Sequence, residues 1–569
     1  MTVAFVEQAA VRARASTWLP ALGRPESVLD RVLSGVGLTA ATWAFAASLV
    51  PSLLPRAAWV QGVVSGVTVV VGYGIGASAQ ALWRYLGIPG LRGGWRTGVL
   101  VTLVGLGMWA VLRNGWRLVG WQNELRDLMG MEPTSPMIWP VVLVVTMSIA
   151  TLLLVVARAV RLLGQLTVAR LARRLPRRLA IVLGTGLVMA LFWGVWTGVL
   201  VNGFFAGANA FFAPQDTTGS MSTDRPTAPE RSGSPQSLAA WEDLGYYGRA
   251  FVREGPTVER LEEVSGPGAK QPIRVYAGLQ NADTPQGRAD LVLAELKRTG
   301  AFDRTVLVVA TTTGMGYLDR RATDPLEYMW NGDTAIAGVQ YSYLPSWISL
   351  LADQEAVVDT SRTVFETVRE HWATLPEDRR PALYLYGLSV GSMGVESVLG
   401  SVSIVNEPVD GALMVGPPFV NDLHGRLTEG RDAGSPASLP VYEHGRTVRF
   451  ANDTSSLLRT TGTWGPTRVA YLQHASDPVV FFSSDLAFTR PQWLADGQRG
   501  PDVSPTMGWV PLVTMWQVLL DMPGAVGVPT GYGHLYSARA NMDAWAAVTQ
   551  PPRWTAERAE AVAGALTVR

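Results

Sequence analysis

The run Pro381-Ala-Leu-Tyr-Leu-Tyr386 leads directly into Gly387-Leu-Ser-Val-Gly391, and a stretch of small residues at 392–399 follows. An apolar run, then G-x-S-x-G, then a helix-forming stretch predicts a strand, a sharp turn and a helix, with Ser389 on the turn. Glycine is needed two positions to either side of the serine, because a Cβ there would collide with neighbouring backbone. Such a turn presents the hydroxyl at the carboxyl end of a sheet, so Ser389 is interpreted as a catalytic nucleophile.

A nucleophilic serine needs a general base and an acid that orients the base, and after a turn of this type they follow in the chain order serine, acid, histidine. Residues 467–473 are typical of a buried strand, and Asp477 lies in the loop just after it. The chain has five histidines, and only His534 follows Asp477. The sequence therefore predicts Asp477 as the acid and His534 as the base.

Other residues could be read differently. Asp410 and Asp485 are the alternatives to Asp477, but the first precedes its strand and the second lies beyond the loop. His474 is expected to support the site rather than act as the base. Each of the three main candidates also has a purely structural interpretation, as a small turn residue, a turn former or a capped loop histidine.

Acyl transfer at serine requires two backbone N–H donors for the tetrahedral oxyanion. The residue after the nucleophile, Val390, supplies one. The strand at 305–310 ends in Thr311-Thr-Thr-Gly-Met-Gly316, and this loop is expected to supply the second donor from Thr313 or Gly314.

The first third of the chain has the composition of a membrane domain. A membrane-spanning helix needs about 20 mostly apolar residues. Uncharged stretches occupy residues 32–55, 57–83, 97–112, 133–157 and 179–215. The third has the fewest uncharged residues, but Arg113 could extend to the interface. We therefore predict five spans, with residues 203–213 at the membrane surface.

Arginines predict the orientation of these spans, because cytoplasmic loops carry an excess of basic residues. The loop between the fourth and fifth predicted spans contains arginines at 158, 161, 170, 173, 174, 177 and 178. The chain is therefore expected to emerge outside after the fifth span, with its N-terminus in the cytoplasm. The first span is interpreted as a retained anchor rather than a cleaved signal peptide, since its apolar run starts late and is long.

Composition divides the chain into a membrane domain at 1–213, a Ser/Thr/Pro-rich linker at 214–236 and a globular domain at 237–569. In the globular domain, apolar runs alternate with helical patterns, which predicts a mostly parallel sheet with helices on both faces. The strand-like runs are 273–279, 305–310, 335–343, 382–386, 411–415 and 468–473. Extra residues fall at 317–334 and 481–529. The second stretch is rich in aromatic residues and methionine, and is interpreted as a cap or as an ordinary packed subdomain.

Composition also limits the chemistry. The chain has no cysteine, which excludes disulfides, thiol catalysis and cysteine-ligated metals. Net charge is only +1, so nucleic acid is not an expected partner. No phosphate-binding loop or dinucleotide fingerprint occurs, and no cofactor or metal is predicted.

At this point the chain resembles the α/β-hydrolase family membrane proteins of actinobacteria, which join an N-terminal polytopic membrane domain to a C-terminal α/β-hydrolase domain. The resemblance covers nearly the whole chain. It rests on Gly233-Ser-Pro235, Trp241, Gly248-Arg-Ala-Phe-Val252, Pro272-Ile-Arg-Val-Tyr-Ala-Gly278, Thr311-Thr-Thr-Gly314, Gly387-Leu-Ser-Val-Gly-Ser392 and Gly531-Tyr-Gly-His534. It implies this architecture and a serine hydrolase site more firmly than any substrate. Leu388 and Val390 stand where the family pattern has a polar or smaller pair.

Together these features predict a membrane-anchored serine hydrolase that acts outside the cytoplasmic membrane on a lipid or cell-envelope glycolipid ester. An envelope acyltransferase would use the same triad, with a sugar hydroxyl replacing water. A binding or assembly protein with a catalytically silent hydrolase fold is the alternative of another class. The expected partners are the bilayer and an acylated lipid substrate; the sequence does not indicate an oligomeric state.

Overall fold

A computed structural model describes residues 34–90, 93–195, 197–198, 202–218, 224–401, 408–457 and 459–567. The chain forms two compact units. The first comprises Met1–Val50, Ala58–Val119 and Pro136–Val155, and the second comprises Pro51–Ala57, Gly120–Ser135 and Val156–Arg569. Arg12, Arg14, Arg24 and Arg31, which precede the first predicted span, lie outside the described residues.

Long helices dominate the N-terminal third. They are α1 (Gly35–Ser48), α2 (Ala58–Tyr85), α3 (Gly93–Leu128), α4 (Trp139–Leu171), α5 (Arg177–Gly194) and α6 (Asn202–Thr218). Four of the described helices, α2 to α5, are long and apolar enough to cross a membrane. The third predicted span is therefore a full-length candidate, because α3 continues well past the 16 uncharged residues that suggested it.

The first predicted span is shorter than expected within the described residues. Its helix, α1, has 14 residues, or about 21 Å at 1.5 Å per residue, against a hydrocarbon core of about 30 Å. The uncharged run continues to residue 55, but it includes Pro51 and Pro55, which cannot continue a helix. Residues 51–57 are irregular and belong to the second unit. We call them the 51–57 segment.

Small residues bring helices of the first unit close together, as the glycine-rich pattern of α2 suggests. A Cβ added at Gly62 or Gly66 would overlap side chains of α4, and a Cβ at Gly72 or Gly76 would overlap α1. A Cβ added at Gly74 would have no neighbour within 4 Å among the described residues. The glycines therefore serve helix packing on two sides of α2.

The second unit contains a seven-stranded sheet in which every strand is parallel to its neighbours. The strands are β1 (Ile273–Ala277), β2 (Val306–Thr311), β3 (Thr334–Val339), β4 (Ala382–Leu388), β5 (Gly411–Val415), β6 (Val448–Ala451) and β7 (Arg468–Leu472), in the order β1-β3-β2-β4-β5-β7-β6. Six of the seven coincide with predicted strands. The sequence prediction missed β6, a four-residue strand at the edge of the sheet.

Helices accompany the sheet throughout. They are α7 (Gly245–Glu254), α8 (Val258–Ser265), α9 (Pro285–Arg298), α10 (Arg320–Met329), α11 (Ser346–Ala352), α12 (Gln354–Ala373), α13 (Val390–Leu399), α14 (Asp422–Glu429), α15 (Thr454–Leu457), α16 (Pro478–Phe481), α17 (Val513–Asp521), α18 (Ala538–Thr549) and α19 (Ala556–Thr567). Along β2, Val308 joins the hydrophobic core on one face and Val309 the core on the other. The strands are buried on both sides, as expected of a parallel sheet. The predicted parallel sheet with two covered faces is confirmed.

The stretch expected to be a linker contributes to packed structure. Its first residues extend α6 to Thr218, and Asp216 is buried, where its carboxylate accepts the Tyr246 N–H at 2.9 Å. Farther along, the buried Arg231 guanidinium donates to the carbonyl oxygens of Val252 and Pro256. Residues 219–223 of this stretch lie outside the described residues.

The 481–529 stretch, which we call the cap insertion, is built from short helices and α17. Its apolar side chains form a buried cluster with neighbouring residues of the second unit, and the members include Phe481, Trp493, Met507 and Val518. Leu53 and Leu54 of the 51–57 segment are part of the same cluster. The aromatic composition of this stretch therefore corresponds to an internal core.

Candidate active site

Ser389 lies on a strained turn between β4 and α13. Its backbone has φ 55° and ψ −127°, a left-handed conformation that costs a non-glycine residue about 1–3 kcal/mol. The turn is held by the Ser389 N–H, which donates to the Val415 carbonyl at 2.8 Å. A Cβ at Gly391 would collide with the carbonyl oxygen of Thr311 at the end of β2. The geometry is that of the predicted strand–turn–helix, and it explains why a glycine occupies position 391.

Asp477 and His534 are hydrogen-bonded. The His534 Nδ1–H donates to Asp477 Oδ2 at 2.6 Å, and the aspartate side chain is fully buried. Tyr536 Oη–H donates to the same oxygen at 2.8 Å, and the Val479 N–H donates to Oδ1 at 2.9 Å. Burial alone would raise the pKa of Asp477, but the charge and hydrogen bond of His534 and these further bonds bring its pKa below the ordinary value. The carboxylate is therefore ionised at neutral pH and fixes the imidazole.

The other imidazole nitrogen, Nε2 of His534, is buried and has no hydrogen-bond partner among the described residues. The ring lies directly against Gly416, since its Cε1 is 2.6 Å from the position of a Cβ at that residue. Gly416 follows Val415, which accepts the Ser389 N–H. The serine turn and the imidazole are thus brought together at the carboxyl ends of β4 and β5. A free, buried Nε2 at this place is suited to accept a proton.

Of the predicted oxyanion donors, Val390 is the first residue of α13, a position whose N–H has no partner within the helix. In the loop after β2, the Thr313 N–H donates to the Tyr317 carbonyl at 3.1 Å, so this donor is already engaged. Among the described residues the Gly314 N–H has no acceptor. The structure thus favours Gly314 over Thr313 as the second donor.

Two further residues, Tyr536 and Ser476, support the pair and were missed by the sequence analysis. Tyr536 binds Asp477, and the Ser476 hydroxyl accepts the Gly533 N–H at 3.0 Å. Tyr536 lies two residues after His534 and Ser476 immediately before Asp477, but tyrosine and serine are too common in loops to be singled out.

His474 lies behind the site. Its ring stacks on Tyr536 with centroids 4.3 Å apart, and its Nδ1–H donates to the Gly533 carbonyl at 2.9 Å. Burial lowers the pKa of His474, which keeps the ring neutral. It holds the loop that carries His534, in the supporting position that the sequence suggested.

The rival acids lie elsewhere. Asp410 immediately precedes β5, and its carboxylate accepts the Leu383 N–H at 2.7 Å, at the amino end of the sheet. Asp485 lies in a short helix of the cap insertion, after Asp477 and α16. Among the described residues, no group of three or more histidine, aspartate or glutamate side chains is arranged to hold a metal ion.

Two family models match the chain. Residues 273–562 match a model described as "Alpha/beta-hydrolase family", which covers about half of the 569 residues, and residues 49–256 match "Alpha/beta-hydrolase family N-terminus". No curated protein and no solved structure matches significantly. The first match contains Ser389, Asp477 and His534, and the second contains the 51–57 segment.

Proposed function

Because the chain belongs to the alpha/beta-hydrolase family, we propose that it is a membrane-anchored serine hydrolase that cleaves esters through Ser389, His534 and Asp477. The observation that carries this proposal is the buried Asp477–His534 pair, whose free Nε2 lies at the strand ends beside the strained serine turn. A catalytically silent relative would have no need for this combination, since the strain at Ser389 and the unpaired Nε2 both oppose folding.

In the proposed acylation step, Ser389 Oγ attacks the ester carbonyl carbon while His534 Nε2 removes the hydroxyl proton. Asp477 holds the Nδ1–H and stabilises the imidazolium that forms. The N–H groups of Val390 and Gly314 would donate to the oxyanion. When the intermediate collapses, the C–O bond to the alcohol breaks and His534 returns the proton to the leaving alkoxide.

In the proposed deacylation step, His534 takes a proton from water as the water oxygen attacks the acyl-serine carbonyl. The bond to Ser389 Oγ then breaks, the serine recovers its proton from His534, and the carboxylic acid leaves. A sugar hydroxyl in place of water would transfer the acyl group instead. Both outcomes use the same residues.

The topology we propose places the C-terminal domain, residues 224–567, outside the cytoplasmic membrane. Arginines in the last part of α4, in the connection at 172–176 and at the start of α5 favour a cytoplasmic position for that connection. Residues 51–57 and 120–135 are hydrogen-bonded to the C-terminal domain, through Arg56 to Asp521 and through Glu124 to Ser504, so they lie on its side of the membrane. Four crossings by α2 to α5 satisfy both conditions.

A C-terminal alkaline phosphatase fusion is expected to be active in cells, because this enzyme matures only outside the cytoplasm. The control is a fusion truncated after residue 175, within the arginine-rich connection, which should be inactive as phosphatase and fluorescent as a GFP fusion. A fluorescent GFP fusion at the full-length C-terminus, together with an inactive phosphatase fusion, would contradict the orientation.

The substrate class we propose is a lipid or envelope glycolipid ester. Four apolar helices would hold the active site near bilayer substrates, where a soluble esterase would have to find them by diffusion.

Purified full-length protein given an acyl glycolipid is expected to release free fatty acid as the main product, with or without added free sugar. Mass spectrometry distinguishes hydrolysis from acyl transfer, because hydrolysis yields a free fatty acid and transfer yields a sugar whose mass is increased by the acyl group. Ser389→Ala protein provides the background. Acyl-sugar formation faster than acid release would reassign the protein as an acyltransferase.

A further inference from the structure

The 51–57 segment is packed into the C-terminal domain although it lies between two apolar helices in the sequence. The Arg56 Nε–H donates to Asp521 Oδ1 at 2.6 Å, and the two side chains are 2% and 0% exposed. Leu53 and Leu54 are buried in the apolar cluster of the cap insertion. Removing one partner of a buried ion pair leaves an uncompensated buried charge, so this contact holds the segment against the end of α17.

Two short connections lead from this segment to His534. Asp521 ends α17, and one turn later the Ala525 carbonyl accepts the His534 N–H at 2.8 Å. Leu54 reaches the same loop directly, since its Cδ2 lies 3.4 Å from the position of a Cβ at Gly533. The His534 N–H is thus bonded to a residue that closely follows Asp521, the partner of Arg56. The preceding residue, Gly533, lies against Leu54.

Residues 120–135 reinforce the arrangement from a second part of the chain. The Gln122 Oε1 accepts the Arg56 N–H at 2.7 Å. Glu124 accepts the Ser504 hydroxyl of the cap insertion at 2.8 Å. The position of the 51–57 segment is thus fixed by side chain and backbone alike.

We propose that Leu54 and the Arg56–Asp521 ion pair are positioning elements for His534, so that two residues of the 51–57 segment contribute to the active site. This inference rests on the proposed function, in which His534 is the base. A base held loosely by even 1 Å loses much of its effect, because general-base catalysis depends on hydrogen-bond distance to the nucleophile. Such a displacement acts on proton transfer to His534, so the loss should fall on the chemical step.

The first test compares two leucines of one segment in the full-length protein in detergent. Ser389 labelling by a fluorophosphonate is followed against probe concentration, which separates the maximal labelling rate from half-saturation. Leu54→Ala is expected to lower the maximal rate about tenfold with half-saturation unchanged. Leu53→Ala is the matched control: it opens a similar space in the same cluster, and its labelling rate should stay within about twofold of wild type.

The second test neutralises one aspartate of the same insertion in each variant. Asp521→Asn removes the charge that pairs with Arg56, and its maximal labelling rate is expected to fall about tenfold. Asp496→Asn changes an exposed carboxylate that pairs with Arg490 at 3.5 Å, and it should label like wild type. Thermal unfolding of each variant identifies any that is not folded at the assay temperature.

The outcomes distinguish failure of the positioning role from failure of the proposed hydrolase function. Wild-type protein that is not labelled at Ser389 would overturn the proposed function itself. A labelled wild type in which Leu54→Ala and Leu53→Ala behave alike, while folded, would overturn the positioning role alone. If Asp521→Asn protein labels at the wild-type rate, the ion pair has no positioning role. If Asp521→Asn does not fold, the leucine pair decides.

Discussion

Ser389→Ala is expected to lower kcat/KM for ester cleavage by about 10⁴-fold or more and to abolish fluorophosphonate labelling. The acyl intermediate cannot form without the hydroxyl, and loss of a triad nucleophile has effects of this size in serine hydrolases. Removal of Oγ leaves the turn itself intact, because its hydrogen bond to Val415 is made by the backbone. Folding should therefore be retained, which thermal unfolding and gel filtration in detergent can verify.

Ser397→Ala is the matched control for this variant. Ser397 lies in the same helix, α13, and its hydroxyl donates only to the Gly394 carbonyl one turn earlier. Activity and labelling are expected to be those of wild type. Labelling that persists in Ser389→Ala and disappears in Ser397→Ala would reverse the assignment of the nucleophile.

Arg274→Met is expected to reduce the free energy of unfolding by about 3–5 kcal/mol. Arg274 lies in β1 with no exposed side-chain surface, and its Nη2 is 2.6 Å from both Asp324 Oδ1 and Glu327 Oε2. Without the guanidinium, two buried carboxylates would face each other with less positive charge nearby. The measurement is the urea midpoint of the full-length protein in detergent.

The effect of Arg274→Met should depend on pH in a defined direction. Burial raises the pKa of Glu327, and loss of Arg274 removes the main attraction that opposes this rise. A carboxyl whose pKa is higher in the folded than in the unfolded state makes its full contribution to stability at pH values below the unfolded-state pKa. That contribution is lost as the pH rises through the folded-state pKa. The deficit should therefore grow from pH 5 to pH 8.

Lys270→Met serves as the control for charge removal near the same strand, since Lys270 forms a largely exposed pair with Asp333. Its expected effect is below about 1 kcal/mol. Equal losses in Arg274→Met and Lys270→Met would show that the buried network contributes no more than a surface ion pair.

The main features of the sheet follow from local sequence patterns. Each of the six predicted strands has an apolar run bounded by polar or turn residues, and burial of both faces makes such runs nearly continuous. The missed strand, β6, has four residues, and one of them is Arg449. Its partner β7 follows it in the chain, but β6 lies outside β7 at the sheet edge, and no local signal indicates this position.

The candidate site is predictable where one residue type and chain order suffice. Ser389 has a motif, and His534 is the one histidine after Asp477, so both were accessible without any contact map. The roles of Tyr536 and Gly416 could not be predicted, because both depend on packing against the His534 ring in the folded protein. The engaged Thr313 N–H likewise depends on how a loop folds back onto Tyr317.

Composition did not predict which polar residues are buried in tertiary contacts. The 214–236 stretch is rich in serine, threonine and proline, yet Asp216 and Arg231 are buried. In the sequence, Arg56 is a lone charge between two apolar runs, at 32–55 and 57–83. Its partner lies 465 residues away, and no spacing rule connects the two.

That separation has a consequence for biogenesis. Arg56 is synthesised early and Asp521 near the end, so their ion pair can close only after almost all of the chain has left the ribosome. Both residues must also have reached the same face of the membrane. If the pair positions His534 as proposed, activity is acquired only at the last stage of assembly. Under the proposed topology that stage follows translocation, so a finished active site would not meet the lipids of the cytoplasmic leaflet during synthesis.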